Sequence, residues 1–272
     1  MEVLPRLAAA LDALEGAGGS ITRRDACHAE LELPLTTASA LLGEHGFLRL
    51  PGRRGAFVTY DAASDLWLTV HIAGADGRRR PTPSPRGLSV ALLAPDGAGK
   101  STLAADLVSR SPVPAWTAHL GLYPRGERHL AVPGMRLAAR VARQWRRYGA
   151  GRRRVARGWL VIFDRYPYDA LLTPASPTRR LDRLRRRLLG RCLPAPDLVV
   201  ILDAPGSVLA ARKDERTVAE LERQRQAYRA LAKLLPAPVA VVDAGRSRDE
   251  VRRDLTDVVW RAYVHRRRRR ER

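Results

Sequence analysis

The stretch Ala94-Pro95-Asp96-Gly97-Ala98-Gly99-Lys100-Ser101-Thr102 follows the apolar run LSVALLA (88–94) and leads into the helical pattern STLAADLV (101–108). A strand, a Gly-rich turn ending in Lys-Ser, and a helix, in that order, are the context a phosphate-binding loop requires. A phosphate chain leaves water only if its charge is met, and successive amide N–H groups at a helix N-terminus supply donors and a favourable dipole. Gly97 and Gly99 let the backbone come close, so Asp96, Gly97, Ala98, Gly99, Lys100, Ser101 and Thr102 form the expected nucleotide-binding loop. Lys100 is expected to bridge the beta and gamma phosphates of ATP, and the Ser101 hydroxyl to be a ligand of Mg²⁺. Ala94 stands where such loops usually carry their first glycine, which adds one methyl group.

Outward from the loop, strand and helix patterns alternate, which predicts an α/β three-layer fold around a mostly parallel five-stranded sheet. After LSVALLA the expected strands are AWTAHL, WLVIF, LVVIL and VAVV. The stretch MRLAARVARQWRRY puts Leu137, Val141 and Trp145 on one expected apolar stripe, and RRLDRLRRRLLGRC predicts a helix with Leu181, Leu184 and Leu188 inward. Thr217 with Glu220, and Ser247 with Glu250, have capping-box spacing before the last two helices.

WLVIF ends in Asp164-Arg165-Tyr166, at the carboxyl edge where open parallel sheets bind ligands. There Asp164 suits Mg²⁺ or acceptor positioning, and Arg165 suits a bidentate grip on phosphate. The alternative reading of this pair is a surface ion pair closing a strand.

With DGAGKST and DRY both placed, residues 88 to about 262 resemble the thymidylate kinase family of P-loop nucleoside monophosphate kinases. PDLVVILDAPGSVLAARKDER is similar to that family's fourth strand and the start of its arginine-bearing lid, ERQRQAYRALAK to the helix after the lid, and VAVVDAGRSRDEV to the last strand and the loop flanking adenine. The resemblance implies phosphate contacts from the 97–102 loop, acceptor-side roles for Asp164 and Arg165, and lid arginines at Arg212 and Arg216 that close on the transferring phosphoryl group. Arg225 is a further lid-side candidate. Solvated helix charges remain the alternative for these arginines. The Arg-Glu-Pro-Gly loop of thymidylate kinases has no counterpart in WTAHLGLYPRGERHL. Acceptor identity therefore stays open, with Arg140 and Arg143 as substitute phosphate contacts. The expected function is ATP-dependent phosphorylation of a phosphorylated small molecule, with dTMP first. The rivals are a same-fold kinase acting on a non-nucleotide metabolite and a non-catalytic protein binding ATP or nucleic acid.

Residues 1–76 read as a small α+β domain, with GFLRL and AFVTY as a strand pair around PGRRG, and residues 77–87 as a Gly/Pro-rich linker before a kinase domain at 88–264. HGFLRL, FVTYD and SDLWLTVHI weakly resemble the end of a nucleotidyltransferase-like domain, and a winged-helix-like module fits equally. Asp61 and Asp65 fall in a turn rather than paired on a strand, so no metal-dependent catalysis is assigned there. The tail at 265–272 reads as a solvated basic block.

The 49 Lys+Arg against 28 Asp+Glu give a formal charge of +21, yet only Lys100, Lys213 and Lys233 are lysines. Basic charge by itself is a sequence-independent attraction, so nucleic acid is kept as a rival partner only. No apolar run reaches the roughly 20 residues of a membrane helix and no signal peptide is evident, which predicts a cytoplasmic protein; a homodimer is compatible with the sequence. Cys27 and Cys192 lie far apart without CxxC spacing, so both read as packed thiols, with neither a disulfide nor a zinc site indicated.

Overall fold

A computed structural model describes residues 3–50, 53, 55–73, 86–121, 133–172, 180–212 and 216–268. The chain divides into two compact units, one holding residues 1–85, 112–114 and 256–272, the other residues 86–111 and 115–255.

The first unit opens with α1 (Pro5–Gly16), where Pro5 occupies the first turn and costs no hydrogen bond. It continues through β1 (Ser20–Arg24), β2 (His28–Glu32), α2 (Leu35–Glu44), β3 (Leu48–Arg49), β4 (Ala56–Asp61) and β5 (Leu66–Ile72). Its sheet runs β1-β2-β5-β4-β3, antiparallel except between β2 and β5. Leu7, Leu11 and Leu14 of α1 pack with Leu31, Leu42, Phe57 and Leu68 in one apolar core. Each such buried side chain contributes about 1.5–3 kcal/mol. Asp61 and Asp65 do flank a turn, accepting hydrogen bonds from Ser64 and Tyr60 respectively.

The second unit comprises β6 (Leu88–Leu93), α3 (Lys100–Ser109), β7 (Ala115–His119), α4 (Pro133–Ala156), β8 (Leu160–Asp164), a 3-10 turn (Pro167–Leu171), α5 (Arg180–Gly190), β9 (Leu198–Asp203), α6 (Gly206–Arg212), α7 (Val218–Ala232), β10 (Val239–Asp243) and α8 (Arg248–Arg268). Residues of α8 from Thr256 onward cluster with the first unit, where Trp260 meets Trp67 edge-on at 4.9 Å. By sequence that stretch falls within the kinase domain expected at 88–264. The sequence also predicts a solvated tail at 265–272, whereas α8 continues through Arg268 and Arg267 is buried against the Tyr263 hydroxyl; 269–272, and most of the expected linker, lie outside the described residues.

The five strands run in the order β10-β9-β6-β8-β7, all parallel. Every residue of β6 and β9 is buried, as expected of central strands covered by helices on both faces. The register places Leu92, Asp164 and His119 level with one another, and Asp203 level with Asp243, so the carboxyl ends of the strands form one edge.

Two expected helix faces turn out differently. In α4 the inward residues are Gln144, Tyr148, Gly151 and Val155, while Trp145 is 47% exposed. The helix turns this face to the sheet because Gly151 is small enough to lie against Phe163 of β8; a Cβ there would sit 2.8 Å from the ring. In α5, Leu184 and Leu188 are 55% and 65% exposed, against the inward packing read from their spacing. Both capping boxes form: Thr217 and Glu220 exchange hydrogen bonds, as do Ser247 and Glu250.

Candidate phosphate-binding site

The loop between β6 and α3 turns through two glycines in the left-handed region, Gly97 at φ 86° and Gly99 at φ 76°. A side chain would strain both positions. Gly99 is also the N-cap of α3, and a Cβ built on it would meet nothing within 4 Å, so the loop backbone is open to a ligand from that side. The first amides of α3 lack intrahelical acceptors, as at any helix start.

Lys100 is buried with its Nζ donating to the carbonyl oxygens of Ala94 at 2.9 Å and Pro95 at 2.7 Å. Burial, then the neighbouring Arg165 charge, pushes its pKa down to about 8, against the pull of Asp96, Asp169 and Asp164. Next to it the Ser101 hydroxyl donates to Asp164 Oδ2 at 2.7 Å, joining the helix to the end of β8. Burial opposes ionisation of Asp164, but its bonds with His119 and Ser101 outweigh that and hold the carboxyl below its ordinary range. Its other oxygen, Oδ1, is buried and has no hydrogen-bond partner among the described residues. A hydroxyl beside a carboxylate with a spare buried oxygen is a donor set of hard oxygens that fits Mg²⁺.

Arg165 follows in the left-handed region at φ 70°, a conformation a non-glycine residue keeps only when its surroundings hold it. Here its backbone N–H donates to Leu92 O at 3.2 Å. Its guanidinium spans Asp96 of the loop, at 2.5 Å, and Asp169 of the 3-10 turn, at 3.3 Å. Asp169 in turn accepts the Tyr228 hydroxyl at 3.0 Å. Burial raises the Asp169 pKa, with Arg165 and Tyr228 opposing it.

Of the two expected lid arginines, Arg216 comes to the loop, 3.4 Å from Asp96. Arg212 does not: it donates to the carbonyls of Ala244 and Arg246 after β10, at 2.9 and 3.0 Å. Residues 213–215 between them lie outside the described residues, as does most of the GLYPRGERHL acceptor region. Arg225 grips Asp203 at the end of β9 with two bonds, 2.8 and 3.0 Å, and its neighbour Arg229 reaches the same carboxylate at 3.2 Å.

Three residues of the site escaped the sequence reading. His119 lies with Nδ1 3.7 Å from Asp164 Oδ2, and its place as the last residue of a strand at the ligand edge was the available signal. Asp169 stands four residues after Arg165 and joins it to Tyr228 of α7. Gln144 is the lone uncharged polar residue in an arginine-rich helix stretch; it is buried, donates to Gly121 O at 2.7 Å, and its Oε1 is unpartnered among the described residues.

No family model matches the chain. Over 115 residues it is 30% identical to a probable thymidylate kinase of Pyrobaculum aerophilum, a match covering 40% of this chain. The chain spans 58% of the length of that curated relative. Among solved structures, a thymidylate kinase from Candida albicans superposes with a TM-score of 0.51 at 19% identity, over 66% of this chain and 94% of that one. A deoxyadenosine kinase from M. mycoides with bound dATP aligns at a TM-score of 0.43 and 14% identity, over 63% of this chain and 98% of that one, a similarity too low to assign a fold. The three-layer α/β arrangement is thus shared with the Candida albicans protein.

Proposed function

From a chain that is thymidylate kinase-like in sequence and in fold, we propose an ATP-dependent phosphotransferase whose acceptor is a nucleoside monophosphate, dTMP being the first candidate. The observation that carries this reading is the meeting of Lys100, Ser101 and Asp164 at the carboxyl edge of one parallel sheet, with Ser101 and Asp164 hydrogen-bonded at 2.7 Å.

In this reading the amides of the 97–102 loop bind the phosphate chain of ATP, and the Lys100 ammonium exchanges its carbonyl partners for phosphate oxygens. Ser101 and Asp164 would hold Mg²⁺, which would supply charge neutralisation on the phosphates. Arg165 stands beside the loop, where a guanidinium orients an anionic acceptor, Arg216 adds positive charge at the same Asp96, and Arg225 adds it at the end of β9. Arg212 supports the loop after β10 instead of closing on the phosphoryl group. Catalysis of this kind consists of positioning and electrostatic stabilisation, and an acceptor that is already a phosphate anion requires no strong base.

No helix among the described residues is long and apolar enough to cross a membrane. We place the activity in the cytoplasm, where two free cysteines are at home. The exposed Leu184 and Leu188 on α5 offer a surface for a homodimer.

The test is ADP release by purified protein with ATP, Mg²⁺ and a panel of nucleoside monophosphates and phosphorylated metabolites. Turnover with a nucleoside monophosphate, dTMP above the others, is expected. Turnover confined to a sugar phosphate or other non-nucleotide overturns the acceptor assignment, and no ADP release with any acceptor overturns the enzyme reading.

A further inference from the structure

The turn between β1 and β2 in the first unit carries Asp25 and Cys27, and β2 opens on His28; the ligand atoms of the three all lie within 4.8 Å of one another. Cys27 Sγ is 3.0 Å from His28 Nδ1, and His28 Nδ1 is 3.4 Å from Asp25 Oδ1. We infer that this turn is a binding site for a borderline transition-metal ion, with Zn²⁺ as the reference metal, held by the Cys27 thiolate, the His28 imidazole and the Asp25 carboxylate, and with a coordination position left to solvent. This revises the reading of Cys27 as an ordinary packed thiol.

The backbone is fixed before any ion arrives. Asp25 Oδ1 accepts the amides of Cys27 at 3.0 Å and His28 at 2.7 Å, and Asp25 N donates to His28 O at 2.8 Å. On the other side Thr69 N of β5 donates to Cys27 O at 2.8 Å, tying the turn to the sheet. Within a regular strand, Cys27 and His28 would point to opposite faces; because Cys27 lies just before β2, in the turn, their side chains converge.

Ligand type decides the metal, and distances say whether the three groups can share it. In a tetrahedral zinc site, Zn–S of about 2.3 Å and Zn–N of about 2.05 Å put sulfur and nitrogen about 3.6 Å apart, and nitrogen and oxygen about 3.4 Å apart. The 3.4 Å from His28 Nδ1 to Asp25 Oδ1 brings this carboxylate to the range a shared ion requires, with a turn of the carboxylate presenting its second oxygen. The Cys–His separation must widen by about 0.6 Å on that geometry, which an exposed His28 ring accommodates by rotation. Since Asp25 Oδ1 already accepts two amides, its remaining oxygen is the better ligand. A thiolate and an imidazole select zinc-like ions over Mg²⁺, so this site would not compete for the metal of the phosphate-binding loop. Binding expels the Cys27 thiol proton to solvent.

The test uses the full, tag-free, metal-stripped chain titrated with Co²⁺, whose thiolate ligation gives an intense charge-transfer absorption. One ion per chain, displaced by Zn²⁺, is expected, with the band lost in Cys27→Ser, unchanged in Cys192→Ser and the affinity down roughly tenfold or more in His28→Ala. His28 is exposed, so that variant tests the site even if Cys27→Ser folds poorly. Absence of the band, its survival in Cys27→Ser with an unaltered circular dichroism spectrum, or an affinity unaffected by His28→Ala overturns the assignment.

Discussion

Asp164 Oδ2 accepts the Ser101 hydroxyl at 2.7 Å, so the acid that ends β8 and the first hydroxyl of α3 act as one oxygen pair although 63 residues separate them. Asp164→Asn keeps the shape but gives up the charge at the point where Mg²⁺ would be held. Removing one preorganised electrostatic group costs about 10²–10³ in kcat. We expect that loss in an ADP-release assay with the circular dichroism unchanged; activity within a factor of about three would remove Asp164 from the mechanism.

Lys100 couples function to stability. Its pKa is about 8 in the folded chain against 10.5 for an ordinary lysine, a difference of about 3 kcal/mol between protonation states. Between those two values the unfolded chain binds more protons than the folded one, so stability rises with pH across that window, and below about 8 the penalty is present in full. Lys100→Met lacks this term. Urea unfolding at pH of about 7 and about 10 should show the parent gaining stability relative to the variant as pH rises, while the variant transfers no phosphate at either pH. An equal response in both proteins would contradict the assigned burial of the ammonium.

The Arg165–Asp169–Tyr228 chain ranks its own members. Asp169→Ala leaves a half-buried guanidinium with one carboxylate fewer and should cost about 3 kcal/mol. Tyr228→Phe removes a single hydroxyl donor and should cost about 1 kcal/mol. Denaturant midpoints measured side by side check the order, and a Tyr228→Phe loss as large as that of Asp169→Ala would refute it.

Gly151 sets how α4 lies on the sheet. A Cβ there meets the Phe163 ring at 2.8 and 3.0 Å and Val161 at 3.2 Å, all three side-chain atoms inside the core. Gly151→Ala is therefore expected to lose about 1–3 kcal/mol from overpacking, despite alanine's better helix propensity. At Gly149, on the same helix with nothing within 4 Å, the same change should stabilise by up to about 1 kcal/mol. Thermal unfolding of the two variants should shift in opposite directions.

What the sequence by itself determined was whatever depends on neighbours along the chain. The strand-loop-helix of 88–108, the later strands, the two capping boxes and the position of Asp164 at a strand end were all legible, because backbone hydrogen bonding and glycine conformations are local. The inward face of α4 was not. Spacing pointed to Leu137, Val141 and Trp145; the Leu137 side chain lies outside the described residues, Trp145 is exposed, and Gly151 against Phe163 rotates Tyr148 and Gln144 to the sheet, a close approach made by a glycine that no periodicity of apolar residues encodes. Tertiary structure alone decided that Arg216 reaches Asp96 while Arg212 caps the carbonyls after β10, since an arginine-rich stretch offers many equivalent cations and only the fold chooses which of them meets a carboxylate. The same holds for the meetings of His119 with Asp164 and of Tyr228 with Asp169, which join elements distant in sequence.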